Sequence, residues 1–422
     1  MIEPATDPRR SIESLRAGVP NRDAVKDLGT DQIEIQARFL NSLAEVPAQW
    51  QQGRQLPGFL IQGGFGTGKS HLMEWLQHLA LSQGFAVSKV VVSKEAPLND
   101  PHKVFRAAVE SLRLPNRRGI SGLHEVASAL DFTSASYGEL VERVGRPDAY
   151  DPLFAATLYL FKNLRAGDQE FVDRLVSFWA GDPLGIADLR RALRLIGIQQ
   201  FEIKSKKKAD LAFPRFRFVA ELMAATGRYQ GWVILLDELE LVANFSLGAR
   251  ARSYAMLAHL LGVLPGAPLP GVFVIGCATD DFTGKVFQER RDHETVPQRL
   301  GAYPALIPEA EAGMAFMWPE MPDRWMKIRR LEKADVEAIY RKIRALYEGA
   351  HAWRPPPEEV KWFGYDRSLR QYVREWITRW DLQRIYPDYH PQIETEDLRP
   401  DLEERPDLEQ PSEDDDPENA VN

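Results

Sequence analysis

The sequence predicts an α/β fold: a parallel-sheet core, interrupted by an all-helical insertion and followed by a C-terminal helical lid. Three observations predict it. A glycine-rich turn, Gly63-x-x-x-x-Gly68-Lys69-Ser70, follows the apolar run Phe59-Leu60-Ile61 and opens a segment with Leu72, Met73, Leu76, Leu79 and Ala80 on one helical stripe. Two later apolar runs, at 231–238 and 271–278, have strand length and end in polar residues. Elsewhere the apolar residues recur at helical spacing.

The strand, turn and helix around residue 63 form a P-loop, the mark of a P-loop NTPase core. Gly63, Gly64, Gly66 and Gly68 let successive N–H groups converge on phosphate oxygens, with Phe65 and Thr67 between them. The first helical turn, Lys69-Ser70-His71, adds the partial positive charge of a helix start. Lys69 can reach the β and γ phosphates, and the Ser70 hydroxyl is placed to ligate Mg²⁺. Residues 90–92 read as the centre of a second strand and 102–114 as its helix, completing a first half-core over 1–116.

Lys69 and Asp237 are 168 positions apart, more than one crossover needs. The excess reads as a helical insertion over 117–209, with periodic segments at 153–161, 171–179 and 187–196. The core resumes over 210–331. Its strand at 231–238 ends in Asp237, which would hold the metal through water, and Glu238, the candidate base for an attacking water. Glu240 would share Glu238's face if the strand continued, which makes it the reserve base. The next strand ends at Thr279, where a hydroxyl can report the γ-phosphate. Among Arg290, Arg291 and Arg299, Arg299 is the choice for an arginine acting across a subunit boundary. Residues 332–392 read as the lid: Val336, Ile339, Tyr340, Ile343, Leu346 and Tyr347 share one face, and Leu369, Tyr372, Val373, Trp376, Ile377 and Trp380 another. Arg370 could lean from this lid onto the nucleotide.

The composition sets limits. The single cysteine, Cys277, excludes an intramolecular disulfide and a cysteine-rich metal site, and implies a reducing, cytoplasmic setting. The first residues lack the pattern of a secretory signal and no apolar run has spanning length, so no membrane is expected. The net charge of −8 is concentrated in the last stretch. Residues 394–422 hold thirteen acids against Arg399 and Arg405, a balance of −11 that leaves +3 for the rest. Residues 393–422 therefore read as a disordered acidic tail. Lys204, Lys206, Lys207 and Lys208, with Arg190, Arg191 and Arg194, make the end of the insertion basic enough to meet DNA phosphates.

The P-loop, the Asp-Glu strand, the polar strand end, Arg299 and the helical lid together resemble the AAA+ ATPases, in particular their initiator-like branch. Leu15-Arg-Ala-Gly-Val-Pro-Asn-Arg-Asp23, the loop at 63–72, the segment at 92–98, Asp237-Glu-Leu-Glu240 and the segment at 368–376 are similar to the BrxD family, the ATP-binding proteins of BREX phage-defence systems. The resemblance implies ATP and Mg²⁺ as ligands, an adenine-contacting segment at Val19, Pro20 and Arg22, and a P-loop strand that is central and flanked by the sensor strand. It also implies a bacterial ATPase, a homo-oligomer or partner-protein complex, working beside a helicase on DNA. The acidic tail departs from the family pattern, as does Leu369, where proline or a small residue is expected. Two other readings of the residues stay open: a nucleotide-stabilised scaffold presenting the insertion to a protein partner, and a small-molecule kinase on the same core.

Overall fold

Among the described residues, one parallel sheet of five strands organises the molecule: β1 (Phe59–Gln62), β2 (Ala86–Val91), β3 (Trp232–Asp237), β4 (Val272–Ala278) and β5 (Trp325–Lys327), in the order β2-β3-β4-β1-β5. This computed structural model describes residue 405 and residues 7–387, apart from 18–21, 116–121, 147, 199–200, 205, 300–303, 320, 322 and 365–366. Val19, Pro20, the Arg22 side chain and nearly all of the acidic tail lie outside the described residues. Every residue of β3 and β4 is buried, which is why both read as unbroken apolar runs. β1 runs beside β4, the strand that leads into Thr279, as expected. It lies one place in from the edge because the short β5 is the last strand on that side, so it is not central.

Helices α1 (Pro8–Ala17), α2 (Arg22–Leu28) and α3 (Ile33–Gln51) precede β1, and α4 (Lys69–Ser82) follows it. After β2 come α5 (Pro101–Glu110), α6 (Leu123–Ser128), α7 (Ala135–Val144), α8 (Pro152–Leu164), α9 (Gln169–Trp179), α10 (Ile186–Leu195) and α11 (Ala212–Ala225), with β3 next. Asp100, Ser134, Asp151 and Asp168 cap α5, α7, α8 and α9 through their side chains, so each start is written locally. The chain continues through α12 (Leu247–Leu260), α13 (Asp292–Arg299), α14 (Leu306–Phe316), α15 (Lys333–His351) and α16 (Leu369–Ile385).

Packing divides into three apolar clusters. The largest covers one sheet face and continues without a break into α6–α10. Phe218 of α11 touches the rings of Phe154 and Trp179, and the Trp179 indole donates to Thr157 Oγ1 at 2.9 Å. A second cluster, with Phe39, Leu72, Leu76 and Phe273, covers the other face beneath α3 and α4. The third joins both ends of the chain: Ile12, Leu15, Ala24 and Leu28 of α1 and α2 pack against Val336, Ile339, Trp376, Ile377 and Trp380 of α15 and α16. Arg16 reinforces it, donating to both Asp381 oxygens at 3.0 Å.

The chain passes between the sheet body and this helical bundle near residues 29–32 and 328–332, and these crossings are stapled together; Arg405, beyond α16, donates its N–H to the Asn244 carbonyl of the sheet body at 2.8 Å. Gln32 Nε2 donates to the Arg329 carbonyl at 3.1 Å, and the Arg329 N–H donates to Gln32 Oε1 at 2.8 Å. Beside them Lys342 Nζ donates to the Leu28 carbonyl at 2.7 Å.

Candidate nucleotide site

The turn between β1 and α4 is shaped by its own residues. Gly66 and Gly68 have φ of 74° and 95°, which a side chain would strain. Thr67 Oγ1 donates to the Gly64 carbonyl at 2.8 Å, and the Gly63 N–H donates to the Ala278 carbonyl at 3.2 Å, anchoring the loop to the end of β4. Lys69 is buried, its ammonium donating to the Gly63 and Gly64 carbonyls at 3.0 and 3.1 Å. Ser70 is half-buried on the first turn of α4. His71 points the other way: its Nε2 lies 2.7 Å from the Gly29 carbonyl, an acceptor only, so that nitrogen carries the proton. Burial pushes its pKa down, against the pull of that carbonyl.

Opposite the loop, β3 ends at the buried Asp237. Its Oδ2 pairs with Lys89 Nζ of β2 at 3.2 Å, and its Oδ1 accepts the Glu238 N–H at 3.1 Å. Nothing in the motif spacing singles out Lys89; its one signal is a lysine beside Ser88 in the mostly apolar strand AVSKVV. Glu238 adopts φ 61° and is exposed. Partial desolvation and then the Asp237 charge raise its pKa, while Lys89, Lys69 and Arg370 oppose the rise.

The strand does not continue past Asp237, so Glu240 does not share Glu238's face. A 3-10 turn over Leu239–Asn244 folds onto β4, because Gly276 leaves room for Leu239: a Cβ there would lie 2.4 Å from its Cδ1. Glu240 is thereby buried, its Oε2 accepting the Thr279 N–H at 3.2 Å. Burial raises its pKa to about 7, against the pull of Lys69. The Thr279 hydroxyl is buried with no hydrogen-bond partner among the described residues.

From the lid, the Arg370 guanidinium lies 5.8 Å from the centre of the Phe65 ring. It stands on the first turn of α16, whose start Ser368 and Gln371 close with a capping box, and it reaches the P-loop despite Leu369. Arg299 ends α13, exposed and with no hydrogen bond or ion pair among the described residues. Its two neighbours are engaged: Arg290 donates to the Ala243 carbonyl, and Arg291 pairs with Glu294. α13 is held by a buried lock in which Arg250 donates to both Asp292 oxygens at 2.7 and 2.8 Å and Tyr254 donates at 2.5 Å.

The loop glycines, one ammonium, one hydroxyl and one buried carboxylate form a donor set that fits a triphosphate with a hard divalent cation. The family model for the BREX system ATP-binding protein BrxC/D matches residues 4–378. The chain belongs to the BrxC/D family. This family member is thus an ATP-binding protein of a BREX defence system, and the matched span takes in the P-loop, the end of β3, Thr279, Arg299 and Arg370. None of the curated proteins matches the chain.

The basic stretch of this BrxC/D protein is partly neutralised where it stands. Lys204 pairs with Glu202 at 2.9 Å, Lys206 with Asp151 at 3.5 Å, and Arg190 donates to the Ile203 carbonyl. Arg191 and Lys207 are exposed. No helix among the described residues is long and apolar enough to cross a membrane.

Proposed function

We propose that this BrxC/D protein hydrolyses ATP and uses its γ-phosphate to set the angle between the sheet body and the helical lid. One observation carries the reading: the P-loop, Asp237 with Glu238, and Thr279 stand at the same ends of β1, β3 and β4, and the lid brings Arg370 over that loop. The backbone N–H groups of residues 64–70 bind the phosphates, and Lys69 exchanges its carbonyl partners for β and γ oxygens. Ser70 and Asp237 would hold Mg²⁺, which would supply positive charge to offset that developing on the phosphate oxygens. Glu238, exposed and with a raised pKa, takes the proton of the attacking water. Thr279 donates to the γ-phosphate, and Arg370 neutralises it from the lid. Val19, Pro20 and Arg22 contact the adenine, and His71 ties the helix that carries Lys69 to the Gly29 end of the N-terminal segment.

Arg299 acts across a subunit boundary in a homo-oligomer or partner complex, presented by the α13 lock. The chain is organised as two half-cores over 1–116 and 210–331, an insertion over 117–209, a lid over 332–392 that moves with α1 and α2, and an acidic tail over 393–422. DNA and a helicase are its working partners, with Arg191 and Lys207 supplying phosphate contacts beside Lys206 and Lys208, in the cytoplasm.

The central test uses purified full-length protein. Glu238→Gln is expected to bind ATP normally and to lose turnover by about 10²-fold or more. Lys69→Ala is expected to lose ATP binding outright. Normal turnover in the glutamine variant removes Glu238 from the mechanism, and absence of turnover in the parent protein, with and without DNA, leaves a nucleotide-binding scaffold instead. Changing Lys206, Lys207 and Lys208 to glutamate tests the DNA surface through the salt dependence of affinity; an unchanged slope excludes it.

A further inference from the structure

Glu240 is a costly residue where it stands. Its carboxylate is 5% exposed and makes no ion pair among the described residues, and burying a charge without a partner is strongly unfavourable. The charged groups acting on it are Lys69, Asp237 and Glu238, of which only Lys69 favours its ionised form. What it does hold is the N–H of Thr279, at 3.2 Å, across the gap between the 3-10 turn and β4. Thr279 is 3% exposed, and its hydroxyl has no hydrogen-bond partner among the described residues. A buried carboxylate thus fixes the backbone of a residue whose own hydroxyl is unsatisfied, at the strand end beside the P-loop. The Gly63 N–H bonds to the carbonyl of Ala278, the residue immediately before it.

We propose that Glu240 is a positioning residue: by holding the Thr279 N–H it sets the Thr279 hydroxyl for the terminal phosphate, and so determines how strongly the site prefers a nucleoside triphosphate over a diphosphate. The inference rests on the γ-phosphate role given to Thr279 above. The two glutamates after Asp237 then differ in what they serve: the exposed Glu238 faces water, and the buried Glu240 holds the neighbouring strand.

The measurement is the ratio of ATP to ADP dissociation constants, by calorimetry with Mg²⁺ on the full chain. Glu240→Asp retains the charge but is one methylene too short to span to Thr279; it is expected to lower the preference for ATP about tenfold, the scale of one hydrogen bond to a charged group. Glu240→Gln retains an acceptor oxygen at the same reach and is expected to keep the preference. Thr279→Ala is expected to lose as much as Glu240→Asp, and the double variant no more than either. An unchanged preference in Glu240→Asp, a lost one in folded Glu240→Gln, additive losses in the double variant, or a parent protein that binds both nucleotides equally each overturn the proposal. A folded parent protein that binds neither nucleotide instead overturns the reading of the whole site.

Discussion

At the scale of single residues, the site depends on which charges the fold takes out of water. Glu240 carries a pH signature of its own. Its folded-state pKa of about 7 stands above the ordinary carboxylate range because burial penalises the ionised form. A raised carboxyl pKa means that the folded state binds the extra proton, so the stabilising contribution is complete in mild acid and is lost as pH rises through 7. Between pH 5 and 8 the parent protein is therefore expected to lose stability relative to Glu240→Gln by roughly 2–3 kcal/mol. Urea unfolding of both proteins across that range checks it; parallel curves remove the burial argument. The glycine turn at 63–70 and the strand ending in Asp237-Glu238 were legible because a glycine-rich turn between a strand and a helix, and an apolar run closing on two acids, carry strong sequence patterns. Lys89 was not, since one lysine within a mostly apolar strand says nothing about a carboxylate on the neighbouring strand. The role of Glu240 was hidden by a turn: the left-handed Glu238 reverses the chain where strand alternation would have run on.

At the scale of elements, two devices place the pieces. Gly276 lets the turn after β3 lie on β4, so Gly276→Val is expected to lift that turn and cost about 1–3 kcal/mol, as overpacking does. The ATP preference would fall with it, and a variant that keeps both stability and preference contradicts the placement. The lock among Arg250, Tyr254 and Asp292 is fully buried, and Asp292→Ala leaves the Arg250 charge without its bidentate partner. That loss is expected to cost about 3–5 kcal/mol in chemical denaturation. A cost below about 1 kcal/mol would show that α13 is held by other contacts. β1, β3 and β4 were legible as apolar runs, and α8, α9, α15 and α16 from their period. β2 runs over Ala86–Val91, earlier than the expected centre at 90–92, because Ser88 and Lys89 break its apolar run, and α3, α11 and α12 were not read. β5 was not, because three residues carry too little pattern to separate a strand from a loop.

At the scale of the whole molecule, the helical bundle that the sequence suggested over 332–392 is completed by α1 and α2. α1 and α2 give their apolar faces to α15 and α16, an association that periodicity within either segment cannot reveal. Removing residues 1–17 is expected to speed amide exchange in α15 and α16 markedly while leaving β3 and β4 protected. Unchanged exchange in the two lid helices would mean that they stand without α1.

The double staple of Gln32 on the backbone of Arg329 gives this arrangement its mechanical character. Two links set far apart would make the bundle a clamp, able to rock only by bending one of them. Two links fastened side by side behave as a single attachment, and the contact of α2 with α4 beside it seats the bundle on the helix that follows the P-loop. A shift at the start of α4 would therefore be felt by the bundle close to this attachment, where α2 lies against α4.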